Sequence, residues 1–482
     1  MSARRRRVIR STAAAFTSQF GSFTISLGVT VTLARLLAPS DFGIYGVAFA
    51  ITGFLDFARQ GGLVVPVIQS ESLTSAQLNT LVWFNAALGL LLTLALLAVA
   101  PLAGHLYGEP QLAAVISALA IGFLVGGLSA QHAALLKREL RFAALATCEI
   151  SALLAAGALA IAAARSGAGV WALVVFQLVR EVVLSTLVVV VSRVRVRWPD
   201  RHVTLAPLLR FGGVMMAFEL LGYLNFRADN LIVGWALGPA ALGFYSKAYE
   251  FLLLPVNQIG TPLAGVAHAT LSRLQRDPER YRLFLRKALL VSTGLVLPAT
   301  VFLWWNATAV VEYVLGPQWR PTVDIARALA PAAACMSVTT AMGWIFLSLG
   351  RARRQLWWAA GTTMLTIVSF TLGLSGGAVG VAYAFSISRV LLLVPTLMFT
   401  CHGTFVRWSS LLATAARPLA ASGLAILTSV WLDRLYAMSP WTLPRNAIVF
   451  ALVYAAGWCL TRRGRRELRE YWPTAQPLVP HA

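Results

Sequence analysis

The chain has 482 residues, of which 58% are hydrophobic and 12% charged, with a formal net charge of +22 at neutral pH. A water-soluble domain carries about 25% charged residues and cannot cover this much apolar surface, so composition excludes a soluble globular protein. Nor does the positive balance mark a nucleic-acid partner, because the cations fall in short segments between long apolar runs, where they orient a membrane protein.

Apolar runs of about twenty residues follow one another from end to end, each enough to cross a bilayer as a helix. Arg4-Arg5-Arg6-Arg7 precedes the first of them. That run is too long for a signal peptide and has no small-residue cleavage site, so it reads as a span. The pattern predicts about fourteen spans. The first six cover 12–36, 42–66, 78–102, 111–134, 142–164 and 169–192. The next six cover 208–234, 241–266, 288–312, 324–349, 355–374 and 377–400, and 409–432 and 442–461 complete the set.

With the N-terminus inside, 28 Lys and Arg fall in inner connections and 5 in outer ones. This asymmetry predicts a multi-pass membrane protein with both termini on the cytoplasmic side, although the inner connection 67–77 carries no cation. Arg276-Asp277-Pro278-Glu279-Arg280 predicts a turn into a basic amphipathic helix on the inner surface. Cys148, Cys335, Cys401 and Cys459 have neither metal-ligand spacing nor a disulfide pattern, so no metal and no cofactor is expected.

One stretch is written twice. Leu37-Ala38-Pro39-Ser40-Asp41-Phe42-Gly43-Ile44-Tyr45 returns as Leu237-Gly238-Pro239-Ala240-Ala241-Leu242-Gly243-Phe244-Tyr245. Six spans separate the copies, so both halves enter the membrane in the same orientation. A second match pairs Gly167-Ala168-Gly169-Val170, Phe176 and Arg180 with Gly376-Gly377-Ala378-Val379, Phe385 and Arg389. The expected architecture is an all-α polytopic membrane protein with two parallel-related six-helix bundles, 1–200 and 201–405, plus two further helices and a basic tail in 406–482. Pro39, Gly43 and Tyr45, with Pro239, Gly243 and Tyr245, are expected to form matched outer hairpins that define an outer gate. In that reading Pro and Gly turn the chain, and Tyr marks the start of the next helix.

Seven cations lie inside spans: Arg59, Arg180, Arg227, Lys247, Arg327, Arg389 and Arg417. Each charge at mid-bilayer costs roughly 2.5–3.5 kcal/mol, so these groups must be paired, reach the interface, or line water. Asp56 with Arg59, and Lys247 with Glu250, share helix faces at a spacing of three. Arg227 and Asp229 do not. Arg59, Arg180, Arg227 and Arg389 are expected to line a hydrophilic cavity suited to an anionic ligand, since guanidinium forks match phosphate oxygens. Asp56, Glu149, Glu219, Asp229 and Glu250 serve either as binding groups for a coupling proton or sodium ion, or as partners that neutralise cations. Gly122/Gly126 and Gly373/Gly377 predict close helix packing. His132 and His268 read as structural. Trp198, Trp319, Trp408 and Trp441 read as interfacial belt residues. Trp304, Trp305, Trp357 and Trp358 read as belt or packing residues rather than sugar-stacking surface.

Taken in order, these residues resemble a known family. Ala34-Arg35-Leu36-Leu37-Ala38-Pro39-Ser40-Asp41-Phe42-Gly43-Ile44-Tyr45 is similar to the first outer loop of Wzx-type polysaccharide flippases, in the multidrug/oligosaccharidyl-lipid/polysaccharide exporter superfamily. The similarity continues through Trp83-Phe84-Asn85, Gln131, Leu135-Leu136-Lys137-Arg138 and Gly169-Val170-Trp171-Ala172-Leu173-Val174. It extends over Arg227-Ala228-Asp229-Asn230, Gly234 and Gly316-Pro317-Gln318-Trp319, and is nearest the colanic-acid-exporter branch.

The resemblance implies two six-helix bundles around a central cavity. It also implies a non-enzymatic activity, the flipping of an undecaprenyl-pyrophosphate-linked oligosaccharide from the inner to the outer leaflet. That step serves exopolysaccharide, capsule or lipopolysaccharide assembly, beside membrane lipids and the polymerase and glycosyltransferases of the pathway. The alternatives are drug efflux by the same superfamily, which for organic cations favours acidic cavities, and a membrane polysaccharide polymerase or ligase. The latter requires a substantial outward catalytic segment, and the outer loops here are short. A non-transporting scaffold for glycosyltransferases would leave the charges within the spans unexplained.

Overall fold

The computed structural model describes residues 21–69, 74–139, 141–194, 196–199, 206–435 and 442–459, and within these it leaves the side chains of 57–69, 75, 206–227, 261 and 435 undescribed. The described chain is helical throughout and contains no strand. In order, the helices are α1 (Gly21–Leu36), α2 (Pro39–Gln69), α3 (Ser75–Leu106), α4 (Pro110–Arg138), α5 (Phe142–Arg165) and α6 (Val170–Ser192). They continue as α7 (Ala206–Leu274), α8 (Pro278–Trp305), the short α9 (Ala307–Val314), α10 (Thr322–Ser348), α11 (Ala352–Gly373), α12 (Gly377–Cys401), α13 (Trp408–Leu435) and α14 (Thr442–Cys459). α7 holds two of the predicted spans, 208–234 and 241–266, on two arms separated at Gly238 by non-helical backbone (φ 82°, ψ 174°). The Arg4–Arg7 cluster, Trp441 and the basic tail lie outside the described residues.

Helix ends follow local chemistry. Pro39 and Pro110 open α2 and α4, at the position where a missing N–H costs nothing. Thr74 and Gln77 close a capping box on α3, with Gln77 N–H donating to Thr74 Oγ1 (3.2 Å) and Thr74 N–H to Gln77 Oε1 (3.0 Å). Asp277 caps α8 by accepting from Arg280 N–H at 3.1 Å. The basic stretch after it is therefore not a separate surface helix. It forms the first turns of α8 itself, because Tyr281 and Leu285 are buried and fix that face.

Outward faces identify the solvent. On α3, Leu91, Leu94 and Leu102 are 61%, 55% and 65% exposed, an apolar stripe that water would not tolerate and lipid does. Eight helical stretches among the described residues are long and apolar enough to cross a membrane on length and composition alone.

The chain divides into two compact units. The first comprises Met1–Ser246 and Val314–Gln318. Within it α4 packs against α2, α3 and α6. The α3–α4 crossing is set by Gly89 and Gly127, where added Cβ atoms would stand 2.5 Å from the Phe123 carbonyl oxygen and 2.6 Å from that of Asn85. Lipid gives no hydrophobic drive between helices, so close backbone approach and interhelical hydrogen bonds hold them. Thr93 Oγ1 donates to the Ala120 carbonyl (2.9 Å), Ser129 and Ser185 share a hydrogen bond (2.8 Å), and His132 Nδ1 meets Ser192 Oγ (2.8 Å). Gly122, expected at a tight crossing, makes only ordinary contact with α6 side chains. The loop at 314–318 joins this unit through Gln318, whose amide donates to the Ala34 carbonyl at 3.0 Å, and through Arg35, which donates to the Val314 carbonyl at 3.1 Å.

The second unit comprises Lys247–Tyr313 and Trp319–Ala482. Its core joins α8, α10, α12, α13 and the end of α7 through Leu271, Tyr281, Leu285, Trp344, Leu397 and Leu411. Tyr281 and Ser348 hydroxyls share a 2.7 Å hydrogen bond. Trp319, expected in the interfacial belt, is fully buried, whereas Trp198 is 81% exposed and stacks on Trp83 with ring centroids 5.1 Å apart. Gly377 does not pack a helix pair either. It turns the chain with φ 65°, and the tight α11–α12 approach is made by Gly373 and Gly380.

α14 is tied on by a polar cluster. Arg445 pairs with Asp433, while Asn446 donates to Asp433 and to Asn306 Oδ1 (3.2 Å). Tyr454 donates to the Gly294 carbonyl at 2.7 Å. Asp433→Ala removes one acceptor from both partners and is expected to cost about 2 kcal/mol, the scale of a hydrogen bond to a charged group. Thermal unfolding in detergent checks this, with Leu452→Ala on the lipid-facing side as the near-neutral control. Equal melting temperatures for the two variants would show that the cluster contributes nothing.

Candidate functional site

The two copies of the repeated stretch meet each other inside the first unit. A Cβ on Gly43 would stand 1.7 Å from the Pro239 carbonyl oxygen, and one on Gly243 would stand 1.9 Å from the Pro39 carbonyl oxygen. Each glycine therefore presents its Cα–H to the other copy's proline carbonyl, a contact that recurs where helices cross closely. The exchange is reciprocal, as at a local two-fold axis. The crossing continues through Gly234, whose Cβ would reach Val47 Cγ2 at 2.7 Å, and Gly46, whose Cβ would sit 3.5 Å from Leu242 Cδ2.

The chain does turn at both copies, at 37–38 between α1 and α2 and at Gly238 within α7, but the roles expected of the other residues are corrected. Gly43 and Gly243 do not turn the chain, since both lie within helices. The turn in the second copy is taken by Gly238, and the need for glycine at 43 and 243 is the absence of a Cβ. Nor do the tyrosines mark helix starts at an interface. Tyr45 lies in the second turn of α2 and stacks on Phe49, with centroids 5.8 Å apart. Tyr245 is fully buried, and its hydroxyl donates to Asp229 Oδ2 at 3.2 Å.

Asp229 is itself 3% exposed and also accepts from the Asn230 N–H at 2.8 Å. A residue assigned to coupling and one assigned to the gate thus form one unit. The signal was present in the sequence: the two positions lie nine residues before and seven after Gly238, at similar depth on the two arms of one helical hairpin.

The other charges separate. Lys247 is 8% exposed and pairs with Glu250 at 2.7 Å, as their spacing predicts. Asp56 is half-buried on α2 and engaged, whereas Glu149 is exposed on α5. The side chains of Arg59, Arg227 and Glu219 lie outside the described residues. Arg327 is exposed in the second turn of α10, where it donates to Thr308 Oγ1 at 3.2 Å. Arg417 is half-buried on α13 and has interactions of its own.

Arg180 and Arg389 are both half-buried in the middle of their helices, α6 and α12. Arg389 lies over the Phe385 ring, with Cζ 4.8 Å from the centroid. Phe385 stacks in turn on Phe370 at 5.6 Å, and Ser386 fixes α12 to the Ala328 carbonyl of α10. A guanidinium on an aromatic face keeps its planar fork and its in-plane donors, which is the geometry that phosphate oxygens require.

The two helices begin alike. Gly169 (φ 56°, ψ −133°) precedes α6 and Gly377 (φ 65°, ψ −158°) opens α12. Counted from these glycines, Arg180 is eleven residues on and Arg389 twelve. Measured from Val170 and Val379, which the repeat pairs, both arginines lie ten residues on, so they stand at equivalent depth in equivalent helices.

Two residues that the sequence did not single out as site groups stand out here. Asn85 on α3 and Gln131 on α4 are completely buried, and their side-chain amides have no hydrogen-bond partner. Each such amide costs about 1–3 kcal/mol. In the sequence they were legible as amides inside otherwise apolar runs and as positions that carry the family resemblance.

The chain is 26% identical to the lipopolysaccharide biosynthesis protein WzxC of Escherichia coli over 373 residues, 76% of each chain. It is 25% identical to the succinoglycan biosynthesis transport protein ExoT of Rhizobium meliloti over 364 residues, 75% of this chain and 72% of the relative. It is 26% identical to the teichuronic acid biosynthesis protein TuaB of Bacillus subtilis over 368 residues, 74% and 75% of the two chains. Among solved structures it shares the fold of the lipid II flippase MurJ in an inward closed conformation (TM-score 0.77, 16% identity, 94% of this chain and 99% of that one). It also shares the fold of an inward-facing multidrug resistance MATE family transporter (TM-score 0.64, 15% identity, 82% and 96%). The family model described as polysaccharide biosynthesis protein matches residues 32–324, more than half of the chain, and this protein belongs to that family.

Proposed function

We propose that the protein flips an undecaprenyl-pyrophosphate-linked oligosaccharide from the inner to the outer leaflet of a bacterial cytoplasmic membrane by alternating access, with both termini in the cytoplasm. Residues 1–200 and 201–405 act as the two repeats, and 406–482 as an addition. The observation that carries this reading is the reciprocal crossing of Gly43 on Pro239 and Gly243 on Pro39. A contact built from the same segment of both repeats is suited to be the moving gate, because rocking of one repeat against the other makes or breaks it symmetrically. The relatives' names support the substrate class, since lipopolysaccharide, succinoglycan and teichuronic acid are different polymers that have only their polysaccharide nature in common.

In this reading Arg180 and Arg389, with Arg59 and Arg227, hold the pyrophosphate while the lipid tail remains in the bilayer. The oligosaccharide crosses without any covalent step. Asp229, held by Tyr245, and Glu250, held by Lys247, are the carboxylates placed to bind a coupling proton or sodium ion. A polymerase and glycosyltransferases of the same pathway stand on either side of the flipping step.

Two experiments test the proposal. Purified protein in proteoliposomes should move a labelled lipid-linked oligosaccharide between leaflets, and no movement above protein-free vesicles would overturn the assignment. The gate is tested with Gly46→Cys and Leu242→Cys, which replace neighbours at the crossing, in a background lacking the four native cysteines. Oxidation should close a disulfide and stop flipping, and reduction should restore it. Undiminished flipping with the disulfide formed would show that this crossing never opens.

A further inference from the structure

At the end of the second unit that carries Arg351, Arg353, Arg354 and Arg407, an open cavity of about 490 Å³ lies between the end of α12 and the start of α13. It is lined by the apolar side chains of Met398, Cys401, Val406 and Trp408 and by the polar ones of His402, Arg407 and Ser409. We propose that this cavity binds one anionic phospholipid of the adjoining leaflet, with the headgroup phosphate on Arg407.

Three observations carry the assignment. The first is charge. No Asp or Glu occurs anywhere between Asp324 and Asp433, although seven arginines do. Arg351 and Arg354 spend their donors on the backbone carbonyls of Phe399, His402 and Gly403, which neutralises the end of α12. Arg407 is exposed and makes no such contact, and no carboxylate among the described residues pairs with it. An exposed guanidinium at this level is open to an anion of the lipid surface.

The second is depth. The cavity lies at the ends of spans, the level at which phosphates of a bilayer stand. Trp408 lines it, and Trp357, 75% exposed, stands on α11 near the same end of the unit. The third is polarity. His402, Arg407 and Ser409 cluster where the two helices end. Met398, a turn into α12 and half exposed, extends the apolar wall toward the hydrocarbon, where acyl chains would follow. Basic pockets between spans at this level take anionic headgroups. The same pocket would be poorly matched to a soluble anion, which gains nothing from the apolar wall.

The experiment uses the full chain in detergent and native mass spectrometry, with phosphatidylglycerol and phosphatidylcholine of equal chain length as competing probes. Phosphatidylglycerol should bind in preference, and Arg407→Gln should reduce that preference about fivefold, the effect of one interfacial cation. Met398→Trp, which fills the cavity and keeps the charge, should lower occupancy by both lipids. Arg353→Gln removes an equal exposed charge outside the lining and should leave the preference unchanged. Equal binding of the two lipids overturns the proposal. So does an Arg353→Gln loss as large as that of Arg407→Gln, which would indicate a diffuse surface field. Displacement of phosphatidylglycerol by millimolar inorganic phosphate also overturns it, since the site would then recognise phosphate alone.

Discussion

Gly43→Ala and Gly243→Ala are each expected to abolish polysaccharide export. The added methyl would sit 1.7 Å from the Pro239 carbonyl oxygen in the first case and 1.9 Å from that of Pro39 in the second. Real Cβ atoms essentially never approach within 3.0 Å, so the backbones must part by about 1 Å or more. The obstructing atoms are backbone carbonyls, which have no rotamer with which to move aside. Overpacking costs typically 1–3 kcal/mol when side chains can give, and more where they cannot. The damage is concentrated at the crossing, leaving the rest of each helix packed in its own neighbourhood, so the variants should still reach the membrane. Export measured against protein abundance checks this. Wild-type export by either alanine variant would show that the two repeats do not need to approach this closely in any working state.

Replacing Arg389 by Ala is the second large expected effect, and Arg180→Ala combined with it should leave no export. A charge-assisted hydrogen bond is worth about 1.5–3 kcal/mol, so losing one bidentate contact to a pyrophosphate weakens binding roughly tenfold to a hundredfold. Arg389→Lys should recover little. A lysine keeps the charge but cannot reproduce a planar fork set over the Phe385 ring. If Lys restored export fully, the site would need only positive charge. Normal export by the double alanine variant at normal abundance would remove both residues from the substrate path. Binding of a labelled lipid-linked oligosaccharide to the purified variants separates lost recognition from lost motion, because the glycine variants should retain binding that Arg389→Ala has lost.

Much of the fold was legible in the chain because a membrane imposes simple rules. Every span needs about twenty apolar residues and satisfied backbone groups. The predicted spans accordingly fall on helices wherever the chain is described, including both arms of α7, except that 288–312 runs past the end of α8 at Trp305 into α9. The Lys247–Glu250 pair was readable for a similar reason, since a spacing of three fixes the geometry within one helix.

What did not follow from spacing was every contact made between helices. Pro39, Gly43, Pro239 and Gly243 were visible as a repeat, and composition at those positions suggested turns. Only the packed structure showed one copy lying against the other, because a glycine needed for positive φ and a glycine needed for close approach are the same letter. The same limit hid Tyr245 on Asp229 and misplaced Trp319 in the belt. By itself, then, the sequence determined the solvent of this protein and its helices, since these rest on local periodicity and apolar run length. The tertiary structure decided which backbones touch, which carboxylates are held and where an arginine is left facing outward, since these depend on the relative rotation of helices, to which a pattern of apolar residues in lipid is blind.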